Sequence, residues 1–340
     1  MSYAISTRKL GARMRLALVG AVAGLLSLAV SPALAANGTI YANGLNSPGG
    51  TVSMGSHVWV SDHINGFCRL DKNAASAKFT INLATCSTAA ASPGQATFDA
   101  ATNSVYVPDN STQGKAVIRL KFNPVSETVG SPVALGSSAI AAGTKPTATV
   151  LGPDGNLYVG FIRSGRILRI TNPAGASSAA QFIGSTTDGR GAAGLAFANA
   201  SDGSPTSSLY LAEGAGISEI ANATGCTGAC VASMTAIVPQ TVVNGKPIAW
   251  ETLDVVAATP DVLYVAKWAP HDFGPKVTIV KYTISTRSAV DYYTSYVAPD
   301  GKLQPWTTVS DLALNPAGGL FVSHDPTNGG TNGALVSTLP

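Results

Sequence analysis

The sequence predicts an all-β fold: a six-bladed β-propeller closed by pairing of the N-terminal strand with the last blade. Three observations predict it. An apolar triplet centred on an aromatic residue recurs six times, as Val58-Trp59-Val60, Val105-Tyr106-Val107, Leu157-Tyr158-Val159, Leu209-Tyr210-Leu211, Leu263-Tyr264-Val265 and Leu320-Phe321-Val322. The central residues lie 47 to 57 positions apart, which is the length of one four-stranded blade. After the last triplet the chain supplies only one more strand, around residues 334–338, while residues 39–44 offer a spare strand ahead of the first repeat.

Each element follows from the pattern of its residues. Side chains alternate between the two faces of a strand, so three consecutive apolar residues imply a strand covered on both faces, as between neighbouring blades. Upstream of each triplet a weaker apolar stretch, such as Thr147 to Leu151 or Leu312 to Leu314, supplies the innermost strand. Downstream stretches such as Arg166 to Ile170 and Val277 to Tyr282 supply the third. Between first and second strands lie turn residues, among them Asp99, Asp154, Asn156, Asp202 and Asp261, whose short polar side chains and neighbouring glycines suit tight turns. The final blade is one strand short, and residues 39–44 complete it, removing a free sheet edge.

The leader is separate. Arg8, Lys9, Arg13 and Arg15 precede an apolar run from Leu16 to Val30, followed by the small-residue site Ala33-Leu34-Ala35. This is the layout of a secretory signal peptide, 1–35, too short for a membrane span, leaving 36–340 as one propeller domain that is secreted or periplasmic. Without those four basic residues the net charge of +3 becomes −1, and with no Lys/Arg cluster remaining a nucleic-acid partner has no electrostatic support. The domain reads as a monomer. The four cysteines allow three pairings; the local pairs Cys68 with Cys86 and Cys226 with Cys230 suit an exported chain, and neither has the spacing of a C-x-x-C metal or redox motif. A plain hairpin sets Cys68 opposite residue 81, so its pair needs a bulge or a bend. Cys226 and Cys230 staple a loop expected between the third and fourth strands of blade four.

The unit around Leu151 to Ile170, with Asp154-Gly155-Asn156, Leu157-Tyr158-Val159 and a following Gly-x-Ile-x-x-Ile, resembles the NHL-type repeat and the related regucalcin/gluconolactonase-like and YncE-like propellers. The resemblance implies a ligand face formed by the second-to-third-strand loops and the inner-strand openings. It also implies, for the lactonases, a divalent metal held by a Glu, an Asn and an Asp. Here Pro48-Gly49-Gly50, Pro93-Gly94-Gln95 and Lys145-Pro146-Thr147 stand at three inner-strand openings, without the Asn and its dipeptide, so that ligand set is not carried over.

On the loop face, His63, His271 and His324, with Asp62 and Asp325, come from blades one, five and six, which are neighbours in the ring. They are the candidate ligands of a divalent metal, the one cofactor considered, or else solvated loop groups. At the inner-strand openings Glu251, beside Trp250, is the candidate acid or base. Its alternative is pairing with a Lys or Arg across the channel. Arg190, Trp250, Trp268 and Asp311 are candidate ligand-binding residues. Three functions remain open: a propeller that binds a small molecule, a glycan or a protein on its loop face, a metal-dependent hydrolase or lyase at the channel mouth, and a structural envelope protein. No G-x-S-x-G, Walker or Rossmann motif is present.

Overall fold

The computed structural model describes residues 38–340 except 77, 112–115, 141–143, 163, 187–192, 202–206, 214–215, 228–229, 232–241, 244–245, 248–250, 269–276, 294, 299, 307–308, 325–332 and 338–340, and the side chains at 213, 231, 242–243, 246–247, 251–253 and 268. Residues 36–340 form one compact unit. After β1 (Gly38–Leu45) the first blade consists of β2 (Gly50–Met54), β3 (His57–Asp62), β4 (Gly66–Lys72) and β5 (Phe79–Ser87). The second holds β6 (Thr97–Asp99), β7 (Ser104–Pro108), β8 (Val117–Asn123) and β9 (Thr128–Leu135), and the third β10 (Pro146–Leu151), β11 (Leu157–Phe161), β12 (Arg166–Thr171) and β13 (Ala179–Ser185). The fourth holds β14 (Gly194–Ala198), β15 (Ser208–Glu213) and β16 (Gly216–Ile220). The short strands β17 (Cys230–Val231), β18 (Val242–Val243) and β19 (Lys246–Pro247) precede the fifth, β20 (Glu251–Thr259), β21 (Val262–Trp268), β22 (Val277–Thr283) and β23 (Ser288–Tyr293). A hairpin of β24 (Ser295–Val297) and β25 (Leu303–Pro305) leads to β26 (Val309–Leu314), β27 (Leu320–His324) and β28 (Gly333–Ser337).

The ring is visible in the inner strands. β2, β6, β10, β14, β20 and β26 each touch the next in that order, and β26 touches β2 again. As expected, β1 pairs antiparallel with β28, Thr39 opposite Ser337 and Leu45 opposite Gly333, so the chain's first described strand completes the sheet of its last. The seam is reinforced from outside, because β24 runs parallel to β1, with Gly38 opposite Tyr296. Every residue of the six triplets is buried, and Trp59, Tyr106, Tyr158 and Tyr210 are fully enclosed. Successive blades therefore share apolar layers, as in the cluster of Trp59, Phe67, Val105, Val107, Leu120 and Phe122 between blades one and two.

Both cysteine pairs are disulfide-bonded. Of the bulge or bend expected for the first, a bulge is what forms: the β4–β5 register jumps from Phe67 opposite Ser87 to Arg69 opposite Asn82, which carries Cys86 back to Cys68. The second pair corrects an expectation. Its loop does not lead into a fourth strand of blade four among the described residues; Cys230 and Val231 instead run parallel to β13 and lengthen blade three. At the turns Asp99 accepts the Ala101 amide (3.0 Å), Asp154 the Asn156 amide (3.2 Å) and Asp261 the Ser285 amide (2.8 Å), as their positions implied; Asp202 lies outside the described residues.

Candidate functional site

Aligning the inner strands on the residue paired with each central aromatic defines one layer of the channel. Two positions before that partner stand Gly50, Gln95, Ala148, Gly194, Asp254 and Asp311. Three are small and three carry long or acidic side chains, and the small ones let the strands close up. A β-carbon on Gly50 would sit 2.7 Å from Gln95 Cα, and one on Gly194 would overlap Asp254 Oδ1. Blade two faces blade five across the ring, and Gln95 spans the gap: its Nε2 lies 3.3 Å from both Asp254 oxygens. The polar side chains thus plug the channel.

The plug is electrostatically unusual. Asp254 and Asp311 are each about 1 % exposed, on adjacent blades. Asp254 Oδ2 accepts the Leu312 amide of blade six (2.6 Å), and Oδ1 its neighbour Val255 (2.7 Å). Asp311 faces Asp254, Gln95 and the Thr51 amide, yet neither of its oxygens reaches ordinary hydrogen-bond geometry. Burial raises both carboxyl pKa values, and for Asp311 the neighbouring Asp254 adds to the rise.

Above the plug lies the mouth, a cavity of about 250 Å³. Its floor and walls are the inner-strand openings Pro48, Gly49, Gly94, Thr147, Ala193, Val309 and Ser310, and its rim includes His63, Asn110 and Ile162. Asp62 explains the position of His63. Its carboxylate accepts the amides of Asn46 (2.6 Å), Ile64 (3.0 Å) and Asn65 (2.9 Å) and the Asn65 side chain (3.0 Å), fixing the turn that holds the imidazole over Gly49. On the neighbouring stretch of rim, in blade two, Asp109 accepts the Ser92 and Ser111 amides, and the Asn110 amide donates to Ser92 O (2.7 Å). Asn110 Oδ1 is buried with no hydrogen-bond partner among the described residues. Ser310 Oγ donates to Pro48 O, joining blades six and one at the rim.

The proposed histidine convergence is not what the described residues form. His63 stands at the mouth, but His324 is 1 % exposed, packed against Tyr296 (5.0 Å) and Trp306 (5.6 Å) between the seam strand and the outer hairpin. Asp62 organises its loop, its oxygens engaged by N–H donors. His271 and Asp325 lie outside the described residues. Among the described residues no group of three or more His, Cys, Asp or Glu side chains is arranged to hold a metal. Of the other candidates, Asp311 belongs to the plug. Arg190 and Trp250 lie outside the described residues, while Glu251 and Trp268 face each other across the β20–β21 ladder with side chains that are not described. Sequence reasoning missed Asp254. Its signal is positional: Asp254 precedes Tyr264, and Asp311 precedes Phe321, by the same ten residues.

On the other face, Ser56, His57 and Glu127 lie close together without forming a catalytic relay. Ser56 Oγ (3.0 Å) and Glu127 Oε2 (2.5 Å) both approach the same imidazole nitrogen, Nδ1, so the ring cannot pass a proton from one to the other. The cluster instead clasps blades one and two, with Arg69 bridging Asp71 (2.7 Å) and Glu127 O (3.1 Å).

No family model matches the chain, and no curated protein does. Solved structures share its fold. An aldose sugar dehydrogenase from Streptomyces coelicolor, solved with PQQ bound, aligns with a TM-score of 0.55 at 16 % identity over 90 % of this chain and 99 % of its own. A putative gluconolactonase gives a TM-score of 0.55 at 14 % identity over 90 % and 93 %, and a luciferin-regenerating enzyme 0.53 at 13 % over 87 % and 92 %. At such identities the likeness establishes the fold, a β-propeller, and no activity.

Proposed function

We propose that the mature chain is an exported propeller that binds a small, uncharged, hydroxyl-bearing molecule in the channel mouth. The observation that carries this is the lining of that cavity. His63, Asn110, Thr147 and Ser310 offer hydrogen bonds beside the apolar surfaces of Pro48, Ile162 and Val309, and no Asp, Glu, Lys or Arg is among the described lining residues. Such a surface suits a ligand with one face of hydroxyls and one of C–H groups, as in a monosaccharide or its lactone. At about 250 Å³ the cavity is smaller than the ~300–1,000 Å³ that holds drug-sized ligands, and the plug beneath prevents deeper entry. Asn110 Oδ1, at the rim, has no hydrogen-bond partner among the described residues. Export is supported by the leader and by the two disulfides.

The test is calorimetric titration of neutral monosaccharides and aldonolactones into the mature protein. Saturable binding that falls at least tenfold in Asn110→Ala and in His63→Ala, with unchanged melting temperature in the free proteins, is the expected result. Binding that survives both substitutions would remove the mouth as the site, and hydrolysis of a lactone by the wild type would turn the reading from binding to catalysis.

A further inference from the structure

The carboxyl pair in the plug is treated unequally by its surroundings. Asp254 receives the amides of Leu312 and Val255 and the Gln95 side-chain N–H groups, the environment of a carboxylate anion. Asp311, equally buried, has both oxygens outside ordinary hydrogen-bond geometry. An anion there would face the Thr51 amide and Gln95 with neither in ordinary hydrogen-bond geometry, and would lie against a second anion. The elements packed around the pair present Thr51, Gln95 and Gly194; neither carboxyl forms a described ion pair, and no cation is among the groups acting on them. The side chain of Glu251, on the strand of Asp254, is not described. Two like charges side by side in so enclosed a place cannot both persist, and a single proton between them resolves the conflict.

We propose that Asp254 and Asp311 share one proton, carried on Asp311 and donated to Asp254, and so form a proton-operated bolt that holds blades five and six together at the centre of the ring. The bolt draws when the second carboxyl ionises. Asp311 is then repelled by Asp254, the Leu312 amide loses its place, and β26 is pushed outward. Ser310, one residue away, would move with it and widen the mouth that it lines. This inference does not rest on the identity of any ligand.

The test is equilibrium denaturation of the mature protein from pH 5 to pH 10, for the wild type, Asp311→Asn and Asp254→Asn. The unfolded chain releases the proton near the ordinary aspartate value of about 3.9, while the folded pair keeps it. Stability therefore falls as pH rises above that value, and the unfolding constant increases by up to tenfold per pH unit until the folded pair lets go. In Asp311→Asn the amide donates the same hydrogen bond and cannot ionise. That variant should lose the slope and outlast the wild type at pH 9. In Asp254→Asn the NH₂ group must take the place of one of two oxygens that each face N–H donors, whichever way the amide is turned, so this variant should be weaker at every pH. Should Asp311→Asn fail to fold, the infrared carbonyl band of a buried, protonated carboxylic acid in the wild type, vanishing at alkaline pH, carries the same information. Parallel pH profiles for the wild type and Asp311→Asn, or absence of that band, would overturn the proposal. So would a midpoint raised by millimolar calcium or magnesium in the wild type and not in Asp311→Asn, which would mean that a cation sits where the proton was placed.

Discussion

Replacing Gly50 with alanine tests the ring at its tightest point. The added methyl would lie 2.7 Å from Gln95 Cα, 2.7 Å from Gly94 O and 3.1 Å from Gln95 N, against a favourable carbon–carbon separation of about 3.5–4.0 Å. All three neighbours are backbone, so no side-chain rotation relieves the overlap, and β2 must retreat from β6 by about 1 Å. Forcing a methyl into a packed core costs ~1–3 kcal/mol. The retreat also stretches the hydrogen bond from Ser61 Oγ to Gly94 O (2.6 Å), worth ~0.5–1.5 kcal/mol. Together these give a loss of about 1.5–4.5 kcal/mol. Gly130, in β9, is the control, because nothing lies within 4 Å of its added methyl and its alanine variant should stay within about 0.5 kcal/mol of the wild type. Urea denaturation of both variants, compared at equal m-values, reads the difference directly. If Gly50→Ala were as stable as Gly130→Ala, the inner strands would not be closed as described, and the plug argument would fail with them.

Two further predictions concern the periphery. The Cys68–Cys86 bond closes an 18-residue separation and the Cys226–Cys230 bond one of 4, so chain entropy assigns them about 3 and about 2 kcal/mol. Paired Cys→Ser variants compared in guanidinium should fall in that order, and the reverse order would show that unfolded-state entropy is not what these bonds act upon. In acid, the Arg69 hydrogen bonds hold the Asp71 carboxyl below its ordinary value, and the Ser56 amide does the same for Glu127. Folded values that are lowered contribute stability above the ordinary carboxylate range, lost as pH falls through them. Denaturation midpoints of Arg69→Met between about pH 2 and pH 6 should accordingly show a shallower acid decline than the wild type; an unchanged decline would place the acid-sensitive groups elsewhere.

The ring was legible because its signal is repeated. Six sandwiched triplets and a spare N-terminal strand are local patterns, and each reappears in the structure as a buried strand or as the β1–β28 seam. The route after Cys226 was not legible. Whether a short segment extends blade four or crosses to β13 is settled by packing between blades, which no local window contains. His324 shows a related limit. At the end of an apolar strand it reads as a loop ligand, yet the outer hairpin supplies Tyr296 and Trp306, which turn it into part of the core. That hairpin lies between two repeats and outside the pattern of the triplets, so nothing in the repeat announces it.

The plug shows why function in a propeller escapes motif reading and how it can be recovered. Its three polar members come from strands more than 50 residues apart, so no spacing rule joins them. Comparison by register does. At one position in six inner strands, Gly50, Ala148 and Gly194 are what close packing demands, whereas Gln95, Asp254 and Asp311 are not. Burying an unpaired carboxylate is costly enough that the chain would gain by replacing either aspartate with a small residue of the kind three other blades use. Packing alone therefore gives no reason for two adjacent aspartates at the centre of the ring. A group that must hold and release a proton does, and the Asp311→Asn profile is the measurement that separates those two explanations.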